Sequence, residues 1–181
     1  MVRRMRRSGL LAGLHPAARA LVLCAAVAGV GGCGAGPRLG ARAPELALQD
    51  LDGRPWSLSG ERGHVVVLDV WATWCPPCRA SLPGVDAFAG RRADDGVRVV
   101  AVSIDADPDA ARTWLRDALP RRTLRVVSDP RSAVMDRLRV RVLPALYVVD
   151  ATGRLRWTGS GDSTDTLAEL DRAVADALGT R

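Results

Sequence analysis

Lysine is missing from this 181-residue chain; all 26 basic side chains are arginine, and nothing in the sequence attaches a function to that bias. Acids are missing from the first 32 residues, where Arg3, Arg4, Arg6, Arg7 and Arg19 stand alone. From Cys33 onward 21 arginines face 20 acids, so the formal charge of +6 belongs to the leader and the remainder is close to neutral. The basic footprint that nucleic-acid binding needs is therefore absent. Histidine is scarce: His64 is the only one beyond the leader, and the chain has one Cys-x-x-Cys pair with no second. That excludes a four-ligand zinc site, and a copper chaperone would want a distal histidine that does not follow. A peroxidase would carry Thr-x-x-Cys, whereas Thr73 and Cys75 are only two apart. Internal repeats are also absent, and only the leader and the stretch after it are compositionally biased.

What is present centres on one stretch. Val65 to Trp71 is an apolar, β-branched run long enough for a buried strand, and it ends in Trp71-Ala72-Thr73-Trp74-Cys75-Pro76-Pro77-Cys78-Arg79. Two sulfurs three residues apart at a helix start close and reopen a small disulfide ring. The helix N-terminus favours the thiolate, which is the nucleophile. A structural disulfide is the blander reading, but a pair this close constrains little chain. Asp69 interrupts the strand six residues before Cys75, and burying a carboxylate costs several kcal/mol unless it is paired or neutralised. A solvated edge position is its alternative reading.

The flanks have their own logic. Met1 to Arg7 is a basic n-region and Ala20 to Val30 an apolar stretch of signal-peptide length, which Gly29, Gly31 and Gly32 make a poor membrane span. Val30-Gly31-Gly32-Cys33 resembles a bacterial lipobox, which makes Cys33 the lipid-bearing residue. The expected organisation is a signal peptide over residues 1–32, a lipid-anchored tether over 33–43 and a domain over 44–179. Along the domain, Asp52-Gly53 predicts a hairpin between Leu46–Gln49 and Pro55–Leu58. Val97–Ile104 reads as a second central strand, and Asp107-Pro108 opens a helix to about Leu119. Asp109 belongs to the same acidic run, Asp105-x-Asp107-x-Asp109. That run fails as a calcium loop, because Ala110 and Arg116 replace the required Gly and Glu, and it reads as a helix cap. Thr123–Val127 is a short strand, Asp129-Pro130 opens a helix to about Leu138, and Ala145–Val149 pairs with Leu155–Thr158 across Thr152-Gly153. Thr166-Leu167-Ala168-Glu169 fits a capping box for a last helix to about Leu178. Pro83 predicts a kink in the helix after Cys75. Alternating strands and helices argue an α/β mixed sheet flanked by helices.

This order, with Trp-Cys-x-x-Cys after the first central strand, resembles the thioredoxin fold. Trp71 to Arg79, the N-terminal hairpin and the inserted helix-strand unit at 108–127 resemble its TlpA/ResA-like branch of exported thiol:disulfide oxidoreductases. Leu138-x-Val140-x-x-x-Pro144 is similar to the family's cis-proline segment. The resemblance implies that Cys75 attacks and Cys78 resolves; Asp69 stands where thioredoxins hold a buried Asp and many TlpA-like proteins an Asn, and the thioredoxin match implies that it accepts the Cys78 proton. It also implies a cis Leu143–Pro144 bond, with Leu143 backbone groups opposite Cys75. Trp74, Pro76, Leu143 and Pro144 are then the candidate substrate-binding residues, while Trp71 is equally core. Where some relatives carry a glutamate three residues past the second cysteine, this chain has Ser81. No cofactor or metal is expected, and the chain is expected to be a monomer.

The function expected is reduction of disulfides in exported proteins, apocytochrome c among them, with electrons from a membrane thiol carrier. The site lies on the extracytoplasmic side of a bacterial membrane, lipid-anchored; an N-terminal membrane span or a secreted periplasmic form is the alternative. The competing functions are a dithiol oxidase and, from another class, a non-catalytic binding or metallochaperone module. Potential separates the first two, running from about −270 mV in thioredoxin to about −120 mV in the strongest oxidant of the fold. Pro76 and Pro77 offer the sulfur no side-chain donor, and Pro77 no N–H, which leans toward the reducing end.

Overall fold

The computed structural model describes residues 37–160 and 164–179; the leader and Cys33 lie outside them. Two short strands come first, β1 (Ala47–Asp50) and β2 (Pro55–Ser57), then a 3-10 turn over Leu58–Glu61. The chain continues as β3 (Val66–Trp71), α1 (Pro76–Arg92), β4 (Arg98–Ser103) and α2 (Pro108–Ala118). After these come β5 (Arg125–Ser128), α3 (Ala133–Arg137), β6 (Ala145–Val149), β7 (Leu155–Ser160) and α4 (Thr164–Gly179). Among the described residues the seven strands form one sheet in the order β2-β1-β5-β4-β3-β6-β7. β3 runs parallel to β4 and antiparallel to β6, and β4 runs parallel to β5. β3 is thus central, and all six of its residues are buried, which is why it reads as an unbroken apolar run apart from Asp69.

Both hairpin turns use one device, Asp-x-x-Gly-Arg. Asp50 Oδ1 accepts the Asp52 and Arg54 N–H groups, each at 2.9 Å, and Asp150 Oδ1 accepts those of Thr152 and Arg154 at the same distance. Gly53 and Gly153 close the turns at φ of +80° and +81°, where a side chain is strained. Helices α1 and α4 lie together: Arg92 pairs with Asp171 at 2.8 Å, and a methyl group on Gly84 would stand 3.1 Å from Leu167. α1 continues through Pro83.

Four expectations need correction. Asp129-Pro130 does not begin a helix; the chain turns through Ser132 at φ +53°, and α3 starts only at Ala133. Asp129 is buried and spends its Oδ2 on Val134 N–H at 2.7 Å, five residues on. Thr166 is not a cap, because α4 has already begun at Thr164; its hydroxyl donates to the Ser160 carbonyl at 3.3 Å and ties the helix to β7. β7 itself runs to Ser160, two residues past Thr158, since Ala145 pairs with Ser160. Residues 40–43, assigned to the tether by composition, are bonded to the domain. Gly40 N donates to Leu155 O at 2.7 Å, Leu155 N to Ala41 O at 2.9 Å and Ala43 N to Gly153 O at 2.9 Å.

Candidate active site

β3 ends at Trp71, whose carbonyl takes the last sheet bond from Ile104 N at 3.0 Å. A turn follows, closed by Cys75 N to Ala72 O at 3.2 Å, and Cys75 becomes the N-cap of α1. Pro76 and Pro77 fill the first two helical positions without an N–H to offer. The first available donor is Cys78 N–H, and it points at the Cys75 sulfur at 3.2 Å. Cys75 and Cys78 are joined as a disulfide, with Cys75 6% exposed and Cys78 fully buried. The outer sulfur therefore stands at the positive end of the α1 dipole, with one backbone donor in place of the several a helix start can give.

Around the pair the surface is apolar. Trp74 is 64% exposed directly before Cys75, and Pro76 and Pro77 are exposed after it. The Leu143–Pro144 bond is cis and leads into β6, which pairs with β3 through Val70 and Ala145. The segment before it thus lies at the end of the sheet where β3 enters the Cys75 turn. There Val142 is 61% exposed and Leu143 half-buried. Trp71 is core: it is fully buried, with the Trp114 ring 5.3 Å away. Ser81 is turned inward, its hydroxyl donating to the Cys78 carbonyl at 3.2 Å.

Asp69 and Asp105, two of the carboxyl groups buried at this end of the sheet, stand in opposite circumstances. Asp69 is 1% exposed, and neither oxygen has a hydrogen-bond partner among the described residues. Burial alone pushes its carboxyl up to about 7. The solvated-edge reading of Asp69 is excluded. Asp105, 2% exposed, has partners on both oxygens. Thr73 N–H lies 3.1 Å from each, the Thr73 hydroxyl donates to Oδ1 at 2.6 Å and the Ser103 hydroxyl to Oδ2 at 2.8 Å. Sequence reasoning grouped Asp105 with the helix-capping acids Asp107 and Asp109; only Asp107 caps, accepting Asp109 N–H at 3.0 Å. The available signal was an acid set directly after an apolar strand, as Asp69 is set within one. Among the described residues no group of three or more His, Cys, Asp and Glu could hold a metal ion.

Against known proteins, the Redoxin family profile matches residues 38–177. The chain belongs to the Redoxin family. It is 31% identical over 147 residues to the thiol:disulfide interchange protein DsbE of Vibrio cholerae, covering 77% of each chain. It is 29% identical over 131 residues to the thiol-disulfide oxidoreductase ResA of Geobacillus thermodenitrificans, covering 70% of this chain and 71% of that one. A crystal structure assigned to a thiol:disulfide interchange protein DsbE from Chlorobium tepidum superposes with a TM-score of 0.73 at 30% identity, over 79% of this chain and 99% of that one. This Redoxin is a thiol:disulfide oxidoreductase of thioredoxin fold, and its Cys-x-x-Cys pair, Cys75 and Cys78, is joined as a disulfide.

Proposed function

We propose that this Redoxin works outside the cytoplasm as a reductase of disulfides in exported proteins. The Cys75 thiolate attacks a substrate disulfide, forming a mixed disulfide and releasing one substrate sulfur as a thiol. Cys78 gives its proton to the Asp69 carboxylate and attacks the Cys75 sulfur, releasing the second substrate thiol. Two electrons have then passed to the substrate, and the Cys75–Cys78 disulfide awaits a membrane thiol carrier. Trp74, Pro76, Leu143 and Pro144 form the apolar face on which the substrate strand lies, with Leu143 backbone groups available for pairing. Apocytochrome c is the substrate the family resemblance suggests. Cys33 carries the lipid that keeps the domain at the membrane.

The observation that carries the reductive direction is the Cys75 cap: one N–H donor and two prolines at the helix start. A thiolate with few donors is weakly stabilised, and a weakly stabilised reduced form makes a reductant rather than an oxidant. The test is the midpoint potential of the pair, measured beside insulin reduction. A potential near about −120 mV without insulin reduction would reverse the direction. Cys78→Ser should trap the mixed disulfide, visible as a substrate adduct that dithiothreitol removes. Asp69→Asn should slow adduct resolution at least about tenfold and attack by less than about threefold; equal slowing of both steps would remove Asp69 from the mechanism.

A further inference from the structure

We propose that Asp105 is a positioning residue for the dithiol: through Thr73 it holds the Ala72–Cys75 turn in the conformation of the closed disulfide, and so makes the pair a stronger electron donor. This rests on the dithiol being redox-active. Between the last sheet bond at Trp71 and the start of α1, the chain belongs to neither sheet nor helix. The Cys75 N to Ala72 O bond closes the turn on itself but ties it to nothing else. Trp74, 64% exposed, packs little. What anchors the turn is Thr73, whose backbone N–H and hydroxyl both reach the Asp105 carboxylate. That carboxylate is held in turn by the Ser103 hydroxyl, which also accepts Asp105 N–H at 3.2 Å. The turn is thereby tied to the end of β4, two residues before the attacking sulfur.

The consequence is chemical. How readily Cys75 and Cys78 join depends on the effective concentration of one sulfur at the other, and a fixed turn raises it. A fixed turn therefore favours the disulfide over the dithiol, and a pair that prefers its disulfide gives electrons away more readily. A merely structural anchor would move stability and leave this equilibrium alone.

The experiment equilibrates the full chain with glutathione redox buffers and reads the equilibrium constant for disulfide formation, with folding followed by circular dichroism. Asp105→Asn, isosteric but uncharged, should lower the constant at least about tenfold, a potential about 30 mV less negative. Thr73→Val should lower it about threefold, and Thr73→Ser should restore it. The Asp105→Asn/Thr73→Val pair should fall by less than the product of the single changes, because the two act through one bond. If Asp105→Asn does not fold, the Thr73→Val and Thr73→Ser comparison decides alone. Constants within about twofold of the parent in folded variants would overturn the proposal, as would an equal loss in Thr73→Ser and Thr73→Val. A parent chain that neither equilibrates with glutathione nor reduces insulin would overturn the dithiol reading itself.

Discussion

Asp69 is a carboxyl group with no hydrogen-bond partner among the described residues, set inside the most buried strand, and its burial has a pH-dependent cost. Below about pH 4 it is protonated in the folded and the unfolded chain, and the cost vanishes. Its folded pKa is pushed up to about 7, so as pH rises from about 4 the unfolded chain ionises first and stability falls. The slope is about 1.4 kcal/mol per pH unit, or about 4 kcal/mol across the window, and it levels off above pH 7. Urea unfolding of Asp69→Asn between pH 4 and 8 should lack this decline and show a more stable variant at pH 8. A decline as steep as in the parent chain would place the effect elsewhere. Asp105 contrasts with it: its charge is met by Thr73 and Ser103, so Asp105→Ala should destabilise at neutral pH by about 1–3 kcal/mol, read from the same unfolding curves.

At the scale of elements, each hairpin turn is built on an aspartate that is at least half-buried. The Asp50 and Asp150 carboxyls are both held below the ordinary range. For Asp50 the Arg54 N–H is the main cause, and for Asp150 partial burial opposes the shift but the Arg154 N–H and Thr152 outweigh it. Stability from these turns is present above about pH 4 and lost below it, opposite in sign to Asp69. Gly53→Ala and Gly153→Ala should each cost about 1–2 kcal/mol, because alanine pays for a left-handed conformation; thermal melts that do not shift would refute this. These turns were legible in the sequence as Asp52-Gly53 and Thr152-Gly153, because turn chemistry is local. So was β3, whose apolar run needs no distant partner to declare itself. α3 was not legible at its start. Asp129-Pro130 has the form of a cap, but the buried Asp129 carboxylate reaches past the next turn to Val134.

At the scale of the molecule, the alternation of strands and helices carried the mixed sheet, and Trp-Cys-Pro-Pro-Cys identified the reactive pair. What stayed hidden were bonds between residues far apart in sequence. Thr73 meets Asp105 across 32 residues, and residues 40–43 meet 153–155 across more than 100. Neither leaves a periodic trace, since a glycine-rich stretch composes like a tether whether or not it docks. The docking has a measurable size. A chain beginning at residue 37 should melt like the full chain. One beginning at residue 44 loses three backbone bonds and should be less stable by about 2 kcal/mol, several degrees in Tm. Equal melting temperatures would show those bonds to be idle.

That docking also sets a direction. Residues 40–43 bond at the beginning of β7, which lies beside Val149, and Val149 pairs with Val66 at the entrance of β3. The Cys75 turn leaves from the far end of β3, so the path into the domain and the reactive sulfur occupy opposite poles of the sheet. Held by residue 37 on a bead, an electrode or any flat support, the domain would present its disulfide outward. A soluble oxidant would then reach it unhindered, while a donor fixed in the support would have to reach around the fold.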